Sequence, residues 1–171
     1  TDTANLGGYL ADQGLKVLMI DADIRQPTLS SYYPLDNEAP GGIYELIAQN
    51  ELDPAIIISH TSIPGLDIII SNDPRGELMS LLQAAPDGVI RLRHLVRQIT
   101  GYDVILIDTI GARTIALEMV LLASDLIISP VLPEMLSARE FLRGTLQMYR
   151  DLQPFTRYGI PLPPLKAVIN K

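Results

Sequence analysis

Four apolar residues in a row, Val17-Leu18-Met19-Ile20, stop abruptly at Asp21-Ala22-Asp23. An unbroken apolar run closed by a polar cluster predicts a strand buried on both faces of a parallel sheet. In open α/β sheets, ligands bind in the crevice beyond the carboxyl ends of the strands. Asp21 and Asp23 flank Ala22, so extended chain points both carboxylates the same way, into that crevice. Two neighbouring carboxylates repel, and stay ionised beside a cation such as a metal ion or a lysine. The plainer reading is a solvated turn, because Asp is a common turn former.

The rest of the chain repeats this strand-then-polar pattern. Thr3–Gln13 reads as a helix, with Leu6 and Leu10 on one face and Gly14 as its left-handed cap. A helix in a parallel sheet is a crossover between two strands, so a partner strand is expected upstream of Thr1. Asp36–Gly42 reads as loop and Ile43–Gln49 as a short helix. Ala55–Ser59 looks strand-like, held to an edge or strand start by Pro54. Further strands are expected at Leu66–Ser71, Tyr102–Ile107, Leu126–Ser129 and Leu165–Ile169. Helices are expected at Leu78–Ala84, Val89–Ile99, Ile115–Ala123 and Ser137–Leu152. Ser137 is read as the N-cap of the last, with Glu140 completing a capping box. Phe155–Pro164 reads as a proline-rich loop. Alternating strands and helices predict a mostly parallel α/β sheet with helices on both faces. No linker or repeat interrupts it, so 1–171 is read as a single, partial domain.

Composition narrows the chemistry. The chain has no cysteine, which excludes a disulfide framework, a thiolate metal site and a thiol nucleophile. No apolar run nears the roughly 20 residues that span a bilayer. The opening Thr1-Asp2-Thr3 is not a signal peptide, so a cytoplasmic protein is expected. A net charge of −7 argues against a surface that is basic everywhere, but not against a local basic patch.

Three strand ends carry polar residues suited to one ligand: Asp21 with Asp23, Asp108, and Asn170. An apolar strand ending in Asp, as Tyr102–Ile107 does at Asp108, has the form that holds magnesium, usually through water. The alternative for Asp108 is an N-cap of the next helix. Thr109 and Gly111 follow, and a glycine there lets backbone approach a phosphate closely.

These stretches together resemble the ParA/MinD group of deviant Walker P-loop ATPases, above all ParA-type partition ATPases. The segment TANLGGYLADQGLKVLMIDADIRQPTLSSYY is similar to their first helix and A′ motif. YDVILIDTIGA is similar to their Walker B motif, and LIISPVLPEMLSAREF to the strand and helix that follow. The resemblance implies that Asp23 positions the attacking water and that Asp21 lies beside it, near the magnesium and the phosphates. It implies that Asp108 holds the magnesium water shell and that Asn170 recognises adenine by its amide. The family's phosphate loop would lie immediately before Thr1, and Thr1 would close it. The sequence is therefore read as N-terminally truncated, and this chain alone is expected to bind and hydrolyse ATP poorly. The implied activity is slow hydrolysis of magnesium-bound ATP. It would control homodimerisation and sequence-independent DNA binding on the nucleoid, stimulated by a ParB-like centromere-binding partner.

DNA contact needs cations. Arg139, Arg143 and Arg150 fall close to one helix face, and Arg157 follows. Phosphate contacts of that kind are independent of sequence and sensitive to salt. A solvated face pairing with Glu140 and Asp151 is the alternative. The run Arg91–Arg97 reads as the outer side of a packed helix, and His60 and His94 are too isolated to suggest catalysis. Tyr32 and Tyr33 are expected to pack or to line the edge of the site.

Two other functions fit the same residues. Bacterial Walker-type tyrosine kinases share the hydrophobic-triplet and DxDxR pattern of Leu18–Arg25 but end in a tyrosine cluster, whereas Tyr149 and Tyr158 near the tail here form no cluster. A ParA-like scaffold that has lost its nucleotide site would show no ATP affinity. A membrane role of the MinD kind is not expected, because no basic amphipathic terminal helix is visible.

Overall fold

In a computed structural model, residues 2–109, 113–131 and 135–169 are described. Helix α1 (Asp2–Asp12) leads into strand β1 (Val17–Asp21), and a 3₁₀ turn follows at Leu29–Ser31. Strand β2 (Leu35–Asn37), helices α2 (Ile43–Ala48) and α3 (Pro54–Ile57), and strands β3 (Ser59–Thr61) and β4 (Leu66–Ile69) come next. Then follow α4 (Leu78–Ala84), α5 (Arg91–Val96), β5 (Val104–Asp108), α6 (Ile115–Ala123) and β6 (Ile127–Val131). The long helix α7 (Met135–Leu152), a 3₁₀ segment Gln153–Tyr158 and strand β7 (Leu165–Ile169) complete the described chain.

Every residue of β1 is buried, as its apolar run requires. It lies between β4 and β5 and is parallel to both. Burying a Leu or Ile side chain contributes about 1.5–3 kcal/mol, so this strand anchors the fold. One apolar layer packs α2, α4, α5 and α6 against one face of the sheet. The other face carries α1, with Ala4 and Ala11 against Val17, Met19 and Leu66. A Cβ on Gly7 would lie 2.9 Å from Met19 Sδ, so glycine lets α1 approach β1 closely. Gly14 ends α1 with φ of +85°. The α/β architecture with helices on both faces is as expected.

The sheet is broken in two. Five strands run in the order β2-β3-β4-β1-β5, with β2 and β3 antiparallel at the edge. Strands β6 and β7 form a separate parallel pair. Among the described residues no ladder joins β5 to β6, and β5 is only partly buried along its length.

Three local readings change. Ala55–Ile57 is helical, because Asp53 caps the turn by accepting from Ala55 N at 3.0 Å and Pro54 suits a first helical position. The strand begins only at Ser59. Leu35–Asn37, within and beside the expected loop, pairs antiparallel with β3. Helix α7 already includes Met135, so Ser137 lies inside it and is not its N-cap.

Candidate nucleotide site

Strands β1 and β5 end level with each other. Their register runs from Val17 opposite Val104 to Asp21 opposite Asp108, and Ala22 N–H extends it by donating to the Asp108 carbonyl at 2.9 Å. The two aspartates therefore meet at one sheet edge, at the carboxyl ends of parallel strands, where ligands bind in such folds. The first turn of α1 reaches the same place. Thr3 Oγ1 donates to Asp108 Oδ1 at 2.5 Å, and Asp108 Oδ2 has no partner among the described residues. Next to it, Thr109 Oγ1 is the buried side-chain polar atom left without a hydrogen-bond partner among the described residues. A buried orphan hydroxyl is uncommon and points to a missing partner.

Asp21 and Asp23 differ in burial and in hydrogen-bond partners. Asp21 is fully buried. Its Oδ2 accepts from Ser30 N at 2.8 Å and Ser30 Oγ at 2.7 Å, and its Oδ1 accepts from Asp23 N at 3.1 Å. Burial pushes the Asp21 carboxyl above its ordinary pKa. The Ser30 and Asp23 hydrogen bonds oppose that rise, and the Asp108 charge adds to it. Three protein donors thus surround the Asp21 carboxylate. These three donors take three of the roughly four acceptor positions of the carboxylate.

Asp23 is partly exposed. Its Oδ1 accepts from Arg25 N and Gln26 N, both at 3.0 Å, in a local turn that an Asp side chain favours. Its Oδ2 has no partner among the described residues. Asp23 lines a cleft of about 510 Å³ with Arg25, Ser71, Asn72, Asp73 and Thr114. Ser71 closes the back of it: Ser71 N–H donates to Ser30 Oγ at 2.8 Å, and Ser71 Oγ donates to the Asp23 carbonyl at 3.1 Å. Thr3, Ser30 and Ser71 are site residues that pattern reading missed.

Tyr32 and Tyr33 tie the loop after β1 to α1. Tyr33 Oη donates to the Ala4 carbonyl at 2.9 Å and Tyr32 Oη to Asn5 Oδ1 at 3.1 Å. Thr1, Gly111 and Asn170 lie outside the described residues. Arg139, Arg143, Arg150 and Arg157 are exposed. Asp151, the expected partner on that helix, instead receives Arg113 NH1 at 2.7 Å and Gln147 at 2.9 Å. The Arg91–Arg97 run is structural: Arg91 pairs with Asp87, Arg93 donates to the Leu122 carbonyl and Arg97 pairs with Asp125.

A family model described as an AAA domain matches residues 1–158. The chain belongs to this family, the ParA/MinD-like group of P-loop ATPases.

Solved ParA/MinD-like folds superpose along nearly its whole length. Apo McdA from Cyanothece matches with a TM-score of 0.78 at 24% identity, covering 98% of this chain and 65% of that one. Cobyrinic acid a,c-diamide synthase from Mycobacterium smegmatis, solved with an ATP analogue and magnesium, matches at 0.79 and 23%, covering 98% and 67%. A plasmid partition protein from Borrelia burgdorferi matches at 0.75 and 24%, covering 98% and 71%. In sequence, the chain is 32% identical over 108 residues to the tyrosine-protein kinase ptk of Acinetobacter johnsonii, covering 63% of this chain and 14% of that protein. It is 30% identical over 110 residues to tyrosine-protein kinase YwqD of Bacillus subtilis, covering 64% and 43%. The ParA/MinD-like chain thus spans less than half of these kinases and about two-thirds of the solved structures. Among its described residues no helix is long and apolar enough to cross a membrane.

Proposed function

We propose that this chain is the nucleotide-binding part of a ParA-like ATPase that partitions DNA by slow hydrolysis of magnesium-bound ATP. The carrying observation is the edge where Asp108 meets Asp21, with an unpartnered Asp108 oxygen beside the orphan hydroxyl of Thr109. Magnesium keeps several waters and needs only one or two carboxylates, so this sparse donor set fits it. Among the described residues β5 and β6 belong to separate ladders, and one further parallel strand between them would join the two. A strand there, ending in the family's phosphate loop before Thr1, would deliver its backbone amides and lysines next to Asp108.

In this reading Asp108 holds the water shell of the metal, and Asn170 hydrogen-bonds the adenine edge. Magnesium, when bound, neutralises charge on the phosphates. Asp23 accepts a hydrogen bond from the attacking water at its free oxygen and orients it, while the Arg25 and Gln26 amides hold the carboxylate still. The finer roles are also proposals: an ATP-dependent homodimer, sequence-independent DNA binding through Arg139, Arg143 and Arg150, and stimulation by a ParB-like partner on the nucleoid.

The relatives at 30–32% identity favour a second reading, a Walker-type tyrosine kinase. Of the two tail tyrosines, Tyr158 is 80% exposed, whereas Tyr149 Oη donates to the Pro163 carbonyl. Tyr158 would be the accessible acceptor.

One experiment separates these. The protein extended upstream of Thr1 is titrated with ATP and magnesium, then assayed for phosphate release with and without DNA and for phosphotyrosine. DNA-sensitive phosphate release supports the partition reading. Phosphotyrosine without phosphate release supports the kinase. No ATP affinity in the extended protein overturns both and leaves a scaffold.

A further inference from the structure

We propose that Ser30 is a positioning residue that fixes the placement of Asp23 through a closed ring of four residues. The inference rests on the reading of Asp23 as the group that orients the attacking water.

The ring can be followed bond by bond. Ser30 donates from both its backbone N–H and its hydroxyl to one oxygen of Asp21. The other Asp21 oxygen holds Asp23 N–H. The Asp23 carbonyl is held by Ser71 Oγ, and Ser71 N–H returns to Ser30 Oγ. Both backbone polar groups of Asp23 are thus clamped, one from the β1 side and one from the β4 side.

The residue types suit these tasks. A serine hydroxyl has one proton and two acceptor lone pairs. Its proton goes to Asp21 and a lone pair receives Ser71 N–H, so the rotor has one orientation that satisfies both. Alanine at this position would remove both side-chain links, and threonine would keep them. Asp21 must take three donors on two oxygens, which a carboxylate does and an amide does not. Asp21 then serves as the hub of the ring.

The magnitudes follow from geometry. Displacing a reacting group by about 1 Å can cost 10²-fold in rate. Outer-shell partners typically account for 10–100-fold in activity.

The test uses the protein extended upstream of Thr1, comparing wild type with Ser30→Ala, Ser30→Thr and Ser71→Ala. For Ser30→Ala, kcat for ATP hydrolysis is expected to fall about 10- to 100-fold while ATP affinity stays within about threefold. Ser30→Thr should recover to within about threefold of wild type. Ser71→Ala, which removes one link and keeps the other three, should lie between. Wild-type kcat in Ser30→Ala overturns the inference. So does an equal loss of kcat and ATP affinity, or a Ser30→Thr variant no better than Ser30→Ala. If the wild type itself releases no phosphate, the ATPase reading has failed, and amide exchange still tests the ring. Ser30→Ala should then speed exchange of the Asp23 amide at least about tenfold, and unchanged exchange overturns the clamp.

Discussion

Asp21 and Asp108 are register partners at the ends of β1 and β5, yet only Asp108 keeps an oxygen without a partner among the described residues. Two carboxylates with matching positions have been given opposite surroundings, one enclosed by donors and one left open. Asp108→Asn in the extended protein should therefore cut magnesium-dependent ATP hydrolysis by about 10- to 100-fold. Measuring ATP binding with and without magnesium checks this. A variant whose affinity responds to magnesium as the wild type's does would contradict the assignment.

At the opposite end of the sheet, Asp67 joins two neighbours. Tyr102 Oη donates to it at 2.8 Å, and His60 Nδ1 lies 2.8 Å from its other oxygen. Burial and then the Asp67 hydrogen bond push the Tyr102 hydroxyl well above its ordinary pKa. Tyr102→Phe should lower stability by about 1–2 kcal/mol at neutral pH, read by urea unfolding. Because the folded pKa is raised, the stabilisation is full below the ordinary tyrosine value of about 10 and fades as pH climbs past it. The gap between wild type and Tyr102→Phe should narrow there.

Glu45 behaves in the reverse sense. Burial raises its pKa, but hydrogen bonds from Asn72 Nδ2 and Gly42 N, each 2.8 Å, overcome that and hold it below the ordinary value. Glu45→Ala should cost about 1–3 kcal/mol at pH 7. A depressed carboxylate contributes above its unfolded value of about 4.3 and loses the contribution as pH falls. The difference between the two proteins should therefore shrink in acid.

Gly42 leaves no space for a side chain. A Cβ there would lie 2.3 Å from the Ile70 carbonyl and 2.8 Å from Asn72 Oδ1. Gly42→Ala must push the start of α2 off the end of β4, breaking the Ile43 N–H to Ile70 carbonyl bond of 2.9 Å. About 1–3 kcal/mol of destabilisation is expected from thermal or urea unfolding.

The exposed arginines of α7 give a salt signature. Replacing Arg139, Arg143 and Arg150 by alanine should weaken DNA binding alike on unrelated sequences. The slope of log K against log salt should fall by roughly 0.9 for each phosphate that is no longer neutralised. An unchanged slope would remove this helix from the DNA interface.

The strand ends are legible in the sequence because polarity changes there within one residue, as between Ile20 and Asp21. The direction each carboxylate faces is not. Ser30 lies nine residues beyond Asp21, between Pro27 and Pro34, and its bond to Ser71 spans 41 residues. Periodicity carries no information about such a link. At Ala55–Ile58 a short apolar run suits strand and helix equally, and the Asp53 cap and Pro54 decide it for helix. The antiparallel edge at Leu35–Asn37 is hidden because only Leu35 of its three residues escapes full exposure.

The two separate ladders among the described residues also bear on self-association. Strands β5 and β6 each turn one row of amide and carbonyl groups toward no neighbouring ladder among the described residues. Such open rims are templates for pairing with another molecule. A molecule with such rims should associate with copies of itself, and its elution volume on a sizing column would report on that pairing.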